Sequence, residues 1–308
     1  MTTSPSSLLV VGGGGFVGGA CVRHLLAQGH AVHVIEPDRR DALPAGARWL
    51  PGSIEEIGSL RAAIAEARPA AILNFAAFST GGVGLARSGE AEPERALAIN
   101  LLGFRRLMQA ATEAGVRRLL WSSSTVAIGP VDRVGARVTE EVACAPATTY
   151  GLTKHLAEQT ALFVRRAHGL DVTGVRLPLI FGPGLWYAGA AAAVTRLVTA
   201  AAPGATPEEA LPEAPFDAAH VQDVARLFAH LLRASAPAPI YHLAGFTTSW
   251  AEVAATLADL VPGYAPRVVA APGLVWPLVS QLRLEQHTGF ACAHDLRSTL
   301  RDLLEHRA

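Results

Sequence analysis

The chain has 308 residues, half of them apolar, and its 26 Lys and Arg balance 26 Asp and Glu to a formal net charge of zero. That length can bury a sizeable core in one large domain or two unequal ones, and the balance gives no electrostatic case for nucleic acid or an acidic membrane as partner. The longest apolar stretches, such as that near residue 275, are short and proline-broken, and the N-terminal MTTSPSS lacks the pattern of a secretion signal. Cys21, Cys144 and Cys292 are too far apart for a metal pair or redox motif, so the expectation is thiols in a reducing, cytoplasmic compartment.

In chain order, LLVV at residues 8–11 reads as a buried strand, residues 20–27 as a helix ended by Gly29, and AVHVIE at 31–36 as the next strand. A helix in SLRAAIAEA precedes a strand at 70–77. A long helix over 93–115 leads to a strand at 116–124, and a second long helix over 148–169 leads to a strand at 171–181. Strands separated by helices of this length predict an α/β fold with a Rossmann-type, doubly wound and mainly parallel sheet. From about Gly182 the rhythm changes to proline- and alanine-rich segments, with one further strand in PAPIYHLAG at 237–245. The expected organisation is a Rossmann domain over 1–181, which also receives parts of 214–245, and a smaller, discontinuous substrate lobe over 182–308. A ligand is expected in the crevice between them.

Gly12, Gly15 and Gly18 follow the first strand with the spacing G-x-x-G-x-x-G. That pattern gives a tight turn, close backbone approach to a pyrophosphate and close helix–strand packing, with the phosphates on the first helix's amides. Glu36 ends the second strand, where a carboxylate accepts from both ribose hydroxyls and repels a 2′-phosphate. NAD is therefore favoured over NADP, with Arg39–Arg40 as the counterweight.

Chemistry is suggested further on. Tyr150 and Lys154 are four apart on a helix and share a face. A neighbouring ammonium is expected to lower the tyrosine pKa and let it exchange a proton with a hydroxyl or carbonyl. Lys154 can also bond the nicotinamide ribose. Ser124, at a strand end, can orient the reacting oxygen.

These residues resemble the extended short-chain dehydrogenase/reductases, specifically the NAD-dependent epimerase/dehydratase family, and the similarity runs from about residue 8 to residue 304. GGGGFVG resembles its TGGxGFxG loop, which brings Phe16 and Val17 to the cofactor. PGSI resembles GDI, with Ser53 where an aspartate contacts adenine and Ile54 beside it. LNFAA resembles its LAA segment and adds Phe75, Ala76 and Ala77, Asn74 replacing a histidine. Asn100 matches the asparagine of NxxGxxxLxxAA, SSSTVAIG resembles SSSxxVYG, and RLPLIFGPG, which holds Pro178, matches RxxxxYGPG. AHVQDVA and the ending GFACAHDLRSTLRDLL fit as well, with His220 expected to make a structural hydrogen bond. The resemblance implies NAD, Tyr150 as general acid/base, Lys154 as its electrostatic partner, Ser124 as polariser, and a homodimer built on the helices near Pro93 and Thr149.

Departures from the family pattern narrow the reaction. Ser124-Thr125-Val126 lacks the carboxylates used for sugar dehydration. The segment after GPG has no arginine from Thr206 to Val224, where nucleotide-sugar enzymes hold a diphosphate, leaving Arg196 or Arg226 as substitutes. Residues 79–89 form a glycine-containing insertion, read as a pocket-shaping loop, a lid or an exposed loop. Candidate substrate contacts are Ser79, Thr80, Ser124, Thr125, Trp186, Tyr187 and Arg196; no metal site is expected. The expected function is NAD-dependent oxidation of a secondary alcohol of a small polar substrate such as a sugar, sugar acid or polyol. An NAD-dependent (nucleotide-)sugar epimerase is the alternative, and a non-catalytic NAD-binding sensor or scaffold the minor one.

Overall fold

The computed structural model describes residues 6–39, 43–130, 135–273, 275 and 277–307. Arg40, half of the pair weighed against NAD, lies outside the described residues, as do Leu274 and Trp276 of the proline-broken stretch; Arg39 is exposed.

The first half alternates strand and helix. β1 (Ser7–Val11) leads to α1 (Phe16–Ala27), β2 (Ala31–Glu36), β3 (Arg48–Pro51), α2 (Ile57–Ala67) and β4 (Ala71–Asn74). Then come α3 (Leu85–Ala91) and α4 (Pro93–Leu97), which runs through a π-helical turn (Ala98–Gly103) into α5 (Phe104–Glu113). β5 (Arg118–Ser124), the short β6 (Arg137–Val138), α6 (Thr149–His168), β7 (Asp171–Leu177) and β8 (Leu179–Phe181) complete this half. The second half holds α7 (Ala192–Thr199), β9 (Glu208–Leu211), β10 (Phe216–His220), α8 (Val221–Leu231), β11 (Ile240–His242) and β12 (Phe246–Thr248). It ends with α9 (Trp250–Leu260), β13 (Arg267–Ala270), β14 (Leu278–Val279), α10 (Leu282–Thr288) and α11 (Leu296–Glu305).

Seven strands form one parallel sheet in the order β11-β7-β5-β4-β1-β2-β3. Strand β1 shows why the sheet is covered on both sides. Leu8 and Val10 join the core beneath α1 and α8, while Leu9 and Val11 join the core beneath α2, α5 and α6. A run such as residues 8–11, apolar at every position, has no face to give to water. The order reverses between β1 and β4, which opens a crevice beyond the carboxyl ends of those strands.

Three local readings differ from the structure. The single strand expected over 171–181 is two: Pro178 has no N–H for a ladder, and the chain passes there from β7 in the central sheet to β8, which pairs with β10 in a three-stranded sheet. The 93–115 helix contains a π-helical turn at Asn100. The 79–89 insertion is not an extended loop, because its second half forms α3. Beside the smaller sheet, Phe181, Val194, Leu197, Phe216, Trp250 and Leu257 make a separate core, with the Phe216 and Trp250 rings 4.8 Å apart.

Candidate active site

The glycine turn has the geometry of a phosphate cradle. Gly12 has φ +79°, and a Cβ there would lie 2.5 Å from the Ala76 backbone nitrogen; at Gly18 it would lie 2.1 Å from the Gly12 carbonyl oxygen. Both positions therefore exclude a side chain. Gly15 precedes α1, and no side chain caps the first-turn amides, which leaves a helix N-terminus suited to an anion. Glu36 stands at the end of β2 and accepts from the Gly14 amide at 2.8 Å. These residues fit a dinucleotide with its ribose at Glu36 and its pyrophosphate on α1.

The turn opens into a cleft of about 620 Å³, within the range of small-molecule sites. The structure brings Gly12, Gly15, Phe16, Val17, Gly18, Glu36, Ser53 and Ile54 to its wall, with Phe75, Ala76, Ala77 and Pro178. Ser79, Thr80, Ser124, Thr125, Tyr150, Lys154, Trp186 and Tyr187 line it as well. Ser53 uses its hydroxyl locally, accepting from the Glu55 amide at 3.1 Å, and Ile54 is packed under the Gly103 backbone. Trp186 meets Tyr187 edge to face at 5.7 Å, and Tyr187 meets Phe16 at 6.5 Å, so an aromatic run reaches from the cleft towards the glycine turn.

Tyr150 and Lys154 are both buried, and α6 starts one residue before Tyr150 because Thr148 caps it, accepting from the Gly151 amide at 3.0 Å. Tyr150 and Ser124 line the same wall of the cleft. The Lys154 ammonium donates to the Ser122 carbonyl at 2.8 Å and lies 5.7 Å from the centroid of the Tyr150 ring. Burial pushes the Tyr150 phenol up, reinforced by the neighbouring Tyr187 and opposed by Ser124. Burial also lowers Lys154 to about 8, against the pull of Glu158. The expectation of a tyrosine pKa lowered by its lysine is thus corrected. Desolvation of the phenolate dominates, and the Lys154 ammonium is turned to the Ser122 carbonyl.

Behind the site lies a buried ionic network. Glu158, one turn beyond Lys154, receives the Arg176 guanidinium at 2.9 and 2.7 Å and the Ser123 hydroxyl at 2.6 Å. Arg176 continues to His242 at 3.1 Å and to the Cys144 sulfur at 3.2 Å. Cys144, His155 and Glu158 do bring ligand-type atoms within 4.8 Å of one another. A cation there would face a guanidinium and compete with it for the carboxylate, so the cluster reads as a charge network.

Two predicted contacts are not in the cleft. Arg196 places Nε and one terminal nitrogen on Glu209, each at 2.6 Å, and neither residue lines the cleft. Asn100 sits behind the wall, where its Oδ1 accepts from the Phe78 amide at 2.7 Å and its Nδ2 donates to Thr153 at 3.0 Å. Arg226, the other proposed anion holder, pairs with Asp223 at 2.6 Å. His220 is buried, accepts from the Gln222 amide at 3.2 Å and therefore donates through Nε2 to Asp302 at 2.9 Å.

The sequence reading missed the contribution of α3. Gly89 is pressed against α6, so that a Cβ would lie 3.1 Å from the Tyr150 nitrogen. Ser88, fully buried, holds the preceding turn by accepting from the Thr80 amide at 3.0 Å and donating to the Gly84 carbonyl at 2.7 Å. Glu90 accepts from the Thr149 amide. Partners 59 residues apart leave no local sequence signal.

A parallel sheet in this strand order, with a glycine turn feeding the first helix and a Tyr–Lys pair in the same cleft, defines a dinucleotide-binding α/β protein of the short-chain dehydrogenase/reductase type. Residues 8–244 match the sequence model of the NAD dependent epimerase/dehydratase family, and the chain belongs to that family, whose cofactor is NAD. UDP-glucose 4-epimerase of Streptomyces lividans is 31% identical over 172 residues, covering 54% of this chain and 50% of that protein. A putative dihydroflavonol 4-reductase of Synechocystis is 30% identical over 182 residues, covering 56% and 49%. The match thus spans about half the length of these curated relatives. Among solved structures, Thermus thermophilus UDP-glucose 4-epimerase complexed with NAD has a TM-score of 0.83 at 25% identity, covering 97% of this chain and 98% of that one. The fold is likewise shared with L-threonine dehydrogenase from Cupriavidus necator, with a TM-score of 0.84 at 21% identity, covering 97% and 99%.

Proposed function

We propose that the chain is an NAD-dependent oxidoreductase that interconverts a secondary alcohol and its ketone. The carrying observation is that Ser124, Tyr150 and Lys154 share one cleft with the glycine turn and Glu36. Bound in this cleft, NAD would supply the hydride acceptor for the alcohol carbon. Tyr150 takes the hydroxyl proton in oxidation and returns it in reduction, Ser124 orients the oxygen, and Lys154 supplies the cation that offsets a phenolate. Gly12, Gly15 and Gly18 admit the pyrophosphate, and Glu36 holds the ribose and selects against a 2′-phosphate.

The lack of an uncommitted arginine among the described residues of the cleft supports a non-nucleotide substrate. Among the described residues the cleft is lined by one arginine, Arg95, and it is paired with Glu55 at 2.9 Å. Epimerisation is the second reading, favoured by the similarity to UDP-glucose 4-epimerases, and it shares the first half-reaction. Incubation with NAD and candidate alcohols distinguishes them: net NADH release supports dehydrogenation, and isomerised product without net NADH supports epimerisation.

We also infer a homodimer. Leu102, Leu152 and Phe163, on the two helical segments expected to form the interface, are 47%, 42% and 58% exposed, and large exposed apolar side chains in one region favour association. Phe163→Asp should yield a monomer in sedimentation velocity; an unchanged profile removes the inference.

A further inference from the structure

Among the described residues, the cations that line the cleft are Arg95 and Lys154, and both already have partners. The cleft's ionisable lining residues, among those described, are Glu36, Glu55, Arg95, Tyr150, Lys154 and Tyr187. Glu36 belongs to the ribose position, Arg95 and Glu55 satisfy each other beside Ile54, and Lys154 is turned to the Ser122 carbonyl. The arginine that could have reached in, Arg196, is committed to Glu209. A carboxylate or phosphate entering beside Tyr150 would lose water without gaining a cationic partner, which is unfavourable.

What the cleft offers instead is apolar surface. Phe78, Leu85, Val126, Ile180 and Trp186 line it beyond the positions assigned to the cofactor. Trp186 leaves 52% of its surface exposed, an unusual degree for the largest apolar side chain, and its neighbour Tyr187 continues the same wall. Hydroxyls line the cleft at Ser79, Thr80, Ser122, Ser123, Ser124 and Thr125, and several are committed. Ser79 accepts from the Gly81 amide at 3.1 Å, Thr80 meets Ser88 at 3.1 Å and Ser123 donates to Glu158 at 2.6 Å, while Ser124 and Thr125 stand at the proposed reacting oxygen. Burial pushes both cleft phenols upward, in keeping with poorly solvated surroundings.

We propose that the substrate is a neutral, largely apolar secondary alcohol or ketone whose hydrocarbon or aromatic body packs on the Trp186–Tyr187 wall. The proposal rests on the oxidoreductase reading and replaces the sugar, sugar acid or polyol expected from the sequence. It assigns Trp186 as a specificity-determining residue.

Two measurements on the full chain separate this proposal from the reading beneath it. The first titrates the NAD-loaded protein, with which a ketone cannot react, calorimetrically with acetophenone, glucuronate and UDP-glucose. The second follows NADH formation from 1-phenylethanol and from sorbitol. Acetophenone should bind at least about tenfold more tightly than glucuronate or UDP-glucose, and 1-phenylethanol should exceed sorbitol in kcat/KM by a similar factor. Trp186→Ala should lose about tenfold in acetophenone affinity and Trp186→Phe should restore most of it, with NAD binding unchanged in both. Preferred acetophenone binding without turnover of 1-phenylethanol would sink the oxidoreductase reading while supporting the pocket assignment. Tighter binding of glucuronate or UDP-glucose, or no binding of acetophenone, overturns the proposal.

Discussion

Glu90 accepts from the Thr149 amide at 2.6 Å and from its hydroxyl at 3.1 Å, so a carboxylate from α3 seals the first turn of the helix that carries Tyr150. The contact satisfies an amide that α6 leaves open and places negative charge at the positive end of its dipole. Gly89 leans on the Tyr150 backbone beside it. The insertion is thereby a brace for the candidate acid/base.

Loss of that brace should act on turnover more than on cofactor binding. Glu90→Ala is expected to lower kcat about fivefold through misplacement of Tyr150, with KM for NAD unchanged. Glu90→Gln, which keeps one acceptor, should retain more activity. Steady-state kinetics with varied NAD measures both; equal loss in kcat and NAD affinity would place Glu90 elsewhere in the account.

Glu36 should govern cofactor choice. Its carboxylate lines the cleft, at the position we propose for the ribose, and accepts from Gly14. Glu36→Ala removes both the ribose acceptor and the charge that repels a 2′-phosphate. KM for NAD should rise about tenfold, and the preference for NAD over NADP should collapse. Kinetics with each cofactor decides this, and an undiminished preference would show that another group reads the ribose.

His242 should make the fold acid-sensitive. Burial, reinforced by the adjacent Arg176 guanidinium, lowers it from 6.5 to about 3. Between those values the unfolded chain carries a proton that the folded chain excludes, so stability falls as pH falls from 6.5 towards 3. The slope from this one group is about 1.4 kcal/mol per pH unit. His242→Gln, neutral throughout and still able to accept from Arg176, should flatten that limb of a urea-unfolding stability curve. Parallel curves for the two proteins would contradict the assignment.

The legible parts of the sequence were those in which one local pattern dictates geometry. Gly12 and Gly18 are glycines because neighbouring backbone leaves no space for a Cβ, and Glu36 follows at the end of the adjacent strand. Tyr150 and Lys154 share a face because helical pitch requires it. What could not be read depended on distant partners. Arg196 looked available until β9 brought Glu209 beside it, and Asn100 looked like a cofactor contact until the π-helical turn set it behind Phe78. The 79–89 insertion contains four glycines and reads as loop, yet tertiary packing on α6 turns part of it into helix. The direction of the Tyr150 shift was also hidden, because spacing reports the lysine and not the burial.

The central claim is that Tyr150 exchanges the proton while the glycine turn separately holds the cofactor. The most direct test is Tyr150→Phe, with NADH formation from a turned-over alcohol and NAD affinity by calorimetry measured on the same preparation. Turnover should fall by about a thousandfold or more, within the range for a positioned acid/base, with NAD affinity close to that of the parent. Turnover retained in Tyr150→Phe would contradict the claim.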